Sequence, residues 1–482
     1  MSFQKIVASH AGELPLNSTS NAIENFELPA NAWFVFADPS PLGASNYGSA
    51  SGDPTETLAA LNAAAVSSAT TEPGFLSELD NARIRTEVAD HLGANDALGY
   101  RGMLHVLDAA AVGGMTASKF GTLETLVSLM NAPDGISTSA YVEHISHSLI
   151  DGDPANADWT GGEATPVALG DLSATSTQAH VDGLIDKWFL GTDLPSIDGT
   201  GKIEATYELQ KGPLFSAHEA PSYHDVNQGA LGDCWFLASL GEVALQDPSA
   251  IRSMITNNHN GTFGVRFFVD GATDYVTVNK ELPIADDRSE WSNGSSLVFA
   301  NGAKGQPLWA ELVEKAFAQL NAEPAVFHGG NGEAINAYEG ISGGEPDVAV
   351  AEITDHDSIE YTSDRLVSDA ASIGAAFDSG DEVELTTGDN SRAYNKHLWG
   401  DHAYEIIGYD ASDDEFTIHN PWGSAQSKPM TFTLSAEKLA DAGCSMYVSQ
   451  SFASAEHAAP HADVEASIAS HMAAIHSAAA HL

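Results

Sequence analysis

The residues able to do chemistry in this sequence gather around one cysteine. Cys234 stands in the run Asn227-Gln228-Gly229-Ala230-Leu231-Gly232-Asp233-Cys234-Trp235-Phe236-Leu237-Ala238-Ser239-Leu240. Gly232 and Asp233 offer a tight turn and a capping position, and the apolar run from Trp235 onward has the length of a buried helix. The sulfur then sits at the positive end of the helix macrodipole, where a thiolate is stabilised and its pKa is expected to fall.

A thiolate of this kind needs a proton partner. His402 opens the strand-like run 403–409, Asn420 closes Glu415–His419, and the turn falls at 410–414. A hairpin centred on residue 411 places 402 opposite 420, and directly opposed side chains have Cβ atoms about 4.5–5.5 Å apart. The expected chemistry is nucleophilic attack on a carbonyl. Cys234 attacks, His402 takes and returns the proton, and Asn420 fixes the imidazole's tautomer and orientation. Gln228 supplies an oxyanion donor beside the Cys234 backbone N–H. Trp422, just past Pro421, is placed to cover the Asn–His bond, and Gly232 and Trp235 support the site on either side of Asp233-Cys234.

The rival residues fit less well. His419 alternates to the opposite strand face, His397 lies in the preceding loop, and Cys444 reads as a core thiol. The tail histidines His457, His461, His471, His476 and His481 lack metal-ligand spacing, and Asp151-Gly152-Asp153 with Asp158 does not meet EF-hand spacing.

The elements that must hold these residues form an α+β pattern. Residues 1–72 read as a loosely ordered Ser/Ala/Gly-rich segment, and 73–200 as a helical region with Val181, Leu184, Ile185, Trp188 and Phe189 on one face. Helices are expected at 234–245 and 308–320, with strands at 263–269 and 275–278, in a first lobe spanning 201–345. A β-rich lobe at 346–453 carries His402 and Asn420, and an Ala/His-rich tail fills 454–482.

Composition narrows the partners. The 482 residues hold 67 Asp and Glu against 19 Lys and Arg, a formal charge of −48, which disfavours nucleic acid and anionic membrane surfaces. No apolar run reaches the length of about 18 residues needed to cross a bilayer, so membrane insertion is not expected. Cys234 and Cys444 are the only cysteines, which excludes disulfide frameworks and multi-cysteine metal sites. The N-terminus lacks the pattern of a cleavable secretory signal. The acidic, thiol-poor composition points to an extracellular protein exported by a bacterial route independent of a signal peptide, with a cytoplasmic home as the alternative.

Three separated blocks resemble the calpain family of papain-like cysteine peptidases. They are Gln228–Leu240, the run Leu308-Trp309-Ala310-Glu311-Leu312-Val313-Glu314-Lys315-Ala316-Phe317-Ala318-Gln319-Leu320-Asn321 followed by Gly329-Gly330, and His402-Ala403-Tyr404 with Asn420-Pro421-Trp422-Gly423. The resemblance implies a two-lobed papain-like core, helical around the cysteine and β-rich around His402 and Asn420. It also implies endoproteolysis of protein or peptide substrates through a Cys-His-Asn triad and a thioester. Calcium is common in the family's core, and Asp225 matches one ligand position. Ala325 stands where an acidic ligand is expected, and 424–429 replace an acidic, Trp-rich stretch, so a calcium site stays open, but calcium control does not follow from the resemblance. The chemistry itself requires no cofactor. Asp401 stands where the family has glycine, and its charge is expected to raise the imidazole pKa. The alternatives are a transglutaminase-like acyltransferase on the same residues and a catalytically silent binding protein. The helical region 73–200 could act as a prosegment processed within 191–201, or as a targeting unit.

Overall fold

Five capped or Gly-initiated helices open the described part of the chain. They are α1 (Ala82–His91), α2 (Tyr100–Ala111), α3 (Ala117–Ser128), α4 (Ala140–Ile150) and α5 (Gln178–Trp188). Asn81, Thr116, Ser139 and Thr177 each accept a backbone N–H of the first turn, caps worth about 1 kcal/mol apiece. The α5 face expected from spacing closes over Leu107, Leu123, Tyr141 and Ile145 in one apolar core. The computed structural model describes residues 73–198, 204–286, 295–302, 305–322, 335–389, 391, 395–422 and 430–450. The segment 1–72, the tail, Ala325, 329–332, Gly423 and 424–429 lie outside them, as does the end of 191–201.

A second core forms around an almost entirely buried helix. After β1 (Ala205–Leu209) come α6 (Cys234–Gln246) and α7 (Pro248–Met254). An antiparallel sheet of β2 (Ile255–Asn257), β3 (Thr262–Val269) and β4 (Ala272–Asn279) follows, and β5 (Glu281–Ala285) pairs back to β1. α8 (Trp309–Leu320) and α9 (Pro346–Thr354) complete this core, with Phe236 stacked on Phe317 at 3.7 Å between ring centres. Ala349 and Ile353 of α9 pack here, so this second core runs past residue 345.

The helical layer docks on the β2–β4 sheet through hydroxyl groups. Tyr141 Oη lies 2.8 Å from Thr277 Oγ1, which donates to the Trp188 carbonyl at 2.6 Å, and Asn258 Nδ2 donates to Tyr141 Oη at 3.1 Å.

The third core belongs to a six-stranded antiparallel sheet. Its members are β6 (Ser358–Tyr361), β7 (Val383–Thr387), β8 (His402–Asp410), β9 (Glu415–His419), β10 (Thr431–Ser435) and β11 (Ser445–Ser449), in the order β10-β9-β8-β7-β11-β6. Helices α10 (Leu366–Ser379) and α11 (Ala436–Asp441) cover it. The sequence pattern beyond 345 reads as strand, yet α9 and α11 are helices there, and so is the longest of them, α10. Its Ala- and Ser-rich face blurs the apolar period, and Gly374 packs so close to Tyr409 that a Cβ would fall 2.0 Å from the ring. The whole is a mixed helix and sheet architecture.

Strand β8 is the seam between the second and third cores. Ala403 packs in the core of α6, and Tyr404 packs in the core of the six-stranded sheet, because successive strand residues project to opposite faces. His402 is the first residue of that seam.

Candidate active site

Cys234 is the first residue of α6, as its sequence context requires, and it is partly buried. The Ala403 backbone N–H stands close enough to its sulfur to draw the thiol's pKa down, which sets the thiol against β8 one residue after His402. The loop before it is clamped from both sides. Ala230 N–H donates to the Val298 carbonyl and Asn301 N–H to the Asn227 carbonyl, both at 2.8 Å. Between them Gly229 approaches so closely that a Cβ would sit 2.1 Å from the Phe299 carbonyl oxygen, which leaves room for glycine alone. Gln228 N–H donates to the Pro421 carbonyl at 2.7 Å, linking this loop to the chain that carries Asn420. Trp235 anchors the helix start through its indole N–H on the Ile341 carbonyl at 3.0 Å, and the Gly232 carbonyl accepts Gly343 N–H at 2.9 Å.

The imidazole is held by one amide and enclosed by rings. His402 Nε2 lies 2.9 Å from Asn420 Oδ1, and Trp422 N–H donates to the same oxygen at 3.1 Å. An atom that accepts a backbone N–H is the oxygen, so Nε2 carries the proton and Nδ1 is left basic. The Trp422 ring lies 4.5 Å from the imidazole, Tyr404 meets it edge-on at 4.7 Å, and Trp399 stands 4.9 Å behind Trp422. Tyr404 and Trp399 were not among the residues singled out from the sequence. Their signal is the aromatic spacing around His402.

Several expectations are corrected by this geometry. Asn420 is not directly opposite His402: Glu405 pairs with His419 and Ile406 with Ile418, and a bulge lies between Ile406 and Gly408. The two side chains meet as diagonal neighbours, a separation that long side chains bridge. Asp233 occupies the position before α6 but makes no capping bond. Gln228 does not present its amide to the thiol either, because its Nε2 donates to the Leu231 carbonyl at 2.6 Å and to Asp233 Oδ1 at 3.3 Å.

The electrostatics also differ from the expectation. Burial pushes the Cys234 thiol up to about 11, outweighing the helix-terminal N–H groups, and the Asp233 charge adds to the rise. Burial among the rings lowers His402 to about 4, while the Asn420 bond works in the other direction. Asp401 is exposed, interacts with Asp389, and contributes nothing to the imidazole. Its φ of 48° explains why the position suits glycine, and aspartate tolerates it better than most residues. The substrate-free site therefore holds a neutral thiol and a neutral imidazole.

The rival side chains are engaged elsewhere. His419 Nδ1 meets the buried Glu405 carboxylate across the strand pair, and His397 stacks on Phe432. Cys444 lies in the third core, with burial pushing its thiol up to about 12. Asp225, the residue offered as a calcium ligand, already accepts Ser222 N–H at 3.1 Å and the Trp309 indole N–H at 3.0 Å. Among the described residues no group of three or more His, Cys, Asp or Glu side chains is arranged to hold a metal ion.

A thiol at a helix start, tied to a strand whose first residue is an amide-oriented imidazole, is the site architecture of cysteine proteases as a class. The family profile described as calpain family cysteine protease matches residues 204–430, and this segment is a calpain family domain. Mouse (Mus musculus) Calpain-8 is 28% identical over 236 residues, covering 45% of this chain and 30% of the relative. Rat (Rattus norvegicus) Calpain-13 is 27% identical over 262 residues, 52% of this chain and 36% of the relative. The human (Homo sapiens) Calpain-2 catalytic subunit is 27% identical over 215 residues, 42% of this chain and 28% of the relative. The chain thus spans about a third of the length of the curated relatives it matches.

Proposed function

We propose that this protein is a cysteine endopeptidase that hydrolyses peptide bonds in protein substrates at Cys234. The observation that carries the reading is the His402–Asn420 bond, held under Trp422, on the strand that faces the helix start bearing Cys234. The second and third cores meeting at β8 support a two-lobed papain-like arrangement, with substrate entering between them.

The chemistry follows from the orientation of the imidazole. His402 Nδ1 takes the thiol proton, because Nε2–H is committed to Asn420. The sulfur attacks the scissile carbonyl carbon, and the carbonyl oxygen becomes an oxyanion that accepts the Cys234 backbone N–H. Gln228 adds a second donor once its amide turns from the Leu231 carbonyl. The imidazolium gives its proton to the departing amine as the C–N bond breaks, leaving a thioester. His402 then takes a proton from water, which attacks the thioester, and the proton returns to the sulfur as the acid leaves. No step calls on a metal.

Hydrolysis of unfolded casein under reducing conditions tests the reading, with wild type and Cys234→Ala each assayed with calcium and with chelator. Cleavage by wild type that disappears in Cys234→Ala is expected in both conditions. Cleavage that survives in Cys234→Ala sinks the proposal, and cleavage restricted to the calcium arm overturns the metal-free mechanism.

A further inference from the structure

One residue before the thiol, two buried carboxyl groups meet with no basic side chain among the described residues between them. Asp233 is fully buried, and its Oδ1 accepts the Gln228 amide at 3.3 Å. Its Oδ2 faces no N–H donor, and its remaining partner is Glu314 of α8. Glu314 is buried as well, and both of its oxygens accept Ala300 N–H, at 2.9 and 3.0 Å. The nearest buried lysine, Lys315, is turned to Asn279 and the Glu281 carbonyl. The other groups around the pair are Glu311 on α8, which holds Gly302 N–H at 2.6 Å, Tyr207, whose hydroxyl donates to the Pro195 carbonyl at 2.6 Å, and the buried Tyr338. Cys234 lies one residue beyond Asp233. Asp193 and Glu281 add negative charge near Tyr207, and Asp225 does so near Glu311.

Two carboxylates cannot face each other in a dry interior without a proton between them. We infer that Asp233 and Glu314 share one proton and form a positioning pair, which holds the Gln228 amide and sets the charge felt by the Cys234 sulfur. Ala300 N–H draws the negative charge toward Glu314 and the Gln228 amide draws it toward Asp233. The position of the shared proton divides the charge between a carboxyl beside the sulfur and one a helix away. Burial raises both groups, and Asp233 reaches about 6. The inference deepens the endopeptidase reading and rests on it for the role of Gln228.

Isosteric variants move this charge in opposite directions while keeping the bonds. In Asp233→Asn the amide donates to a charged Glu314, and the charge leaves the neighbourhood of the sulfur. In Glu314→Gln the amide donates to a charged Asp233, and the charge is fixed beside the sulfur. The experiment follows iodoacetamide alkylation of the full chain against pH, read by mass spectrometry on the peptide containing Cys234. Relative to wild type, the alkylation midpoint is expected to fall by about half a unit or more in Asp233→Asn and to rise by a similar amount in Glu314→Gln. Both variants are expected to lose kcat on casein with KM little changed, since Gln228 is held differently. Shifts of the same sign, or no shift in either, overturn the inference. If either single variant does not fold, the neutral double variant Asp233→Asn with Glu314→Gln replaces it. Its midpoint is expected below that of wild type, and a midpoint at or above wild type overturns the inference. Alkylation requires no proteolysis, so opposite shifts in an enzyme that fails to cleave casein would sink the proposed function and leave the pair intact.

Discussion

His402 and Asn420 share a face of the sheet because β8 carries one residue more than β9 between them. Near the turn Asp410 pairs with Glu415, Tyr409 with Phe416 and Gly408 with Thr417, whereas beyond it Ile406 pairs with Ile418 and Glu405 with His419. Ile407 is the extra residue. Paired into the ladder instead of bulged, it would run the register on to set Asn420 across from Glu405, on the opposite face from His402, since a one-residue slip inverts every side chain beyond it. Deletion of Ile407 takes out the bulged residue and leaves Ile406 opposite Ile418, so it is expected to keep kcat/KM within about tenfold of wild type. Deletion of Thr417 shortens β9 instead, moves Asn420 off the face of His402, and is expected to reduce kcat/KM by about 100-fold or more, the range general base catalysis supplies. Casein assays with circular dichroism on both variants check this, and a folded Ile407 deletion without activity removes the register from the argument.

Trp422 is expected to set the acid limit of activity. Its ring and Tyr404 dry the imidazole, and that burial holds His402 near 4, below its ordinary value. A base acts in its neutral form, so the wild-type site keeps its base down to about pH 4. Trp422→Ala readmits water and returns the imidazole toward about 6.5. Its kcat/KM at pH 5, relative to pH 8, is then expected to drop about tenfold below the wild-type ratio. An unchanged acid limb would show that the ring does not control the histidine.

Much of the site was legible because helices and strands announce themselves locally. The apolar run after Cys234 and the alternation around His402 and Asn420 position those residues without any knowledge of the rest of the chain. The hairpin centre was not legible, because a bulge has no signature in the run 403–409. The capping role expected of Asp233 failed for a tertiary reason: α8 brings Glu314 to it, and the only hint is a pair of glutamates three residues apart in a buried helix. The direction of the thiol pKa failed similarly. A helix terminus is visible in sequence, but the burial that outweighs it is assembled from distant segments.

The helical layer is expected to be part of the folded body rather than a detachable cover. Its contacts run through Tyr141 and Trp188 to Asn258 and Thr277 on the β2–β4 sheet, and none of these bonds involves Cys234, His402 or Asn420. Tyr141→Phe removes a buried hydroxyl with two partners and is expected to cost about 1–3 kcal/mol, measured by urea denaturation. Proteolytic nicking within 191–201 should leave the two pieces together on gel filtration under native conditions. Release of an active fragment beginning near 204 would instead identify the layer as a prosegment.

The contact between α6 and the sheet carries a pH dependence of its own. Glu242 of α6, Glu384 of β7 and Glu405 of β8 are buried together, with His419 beside Glu405, and no oxygen of Glu242 or Glu384 has a hydrogen-bond partner among the described residues. Burial, and for Glu242 the neighbouring Glu405 and Glu384, raises these carboxyls above their ordinary values. A carboxyl raised in the folded state favours folding below its unfolded value of about 4.3, and that contribution is lost as pH rises toward the folded value. Glu242→Gln takes one group out of this titration. Its stability should match wild type near pH 4 and exceed it by about 1–3 kcal/mol at pH 8, where an unbonded buried charge costs most. Thermal unfolding at the two pH values decides it: a gain confined to pH 8 is expected, and an equal change at both would mean that Glu242 contributes packing rather than charge.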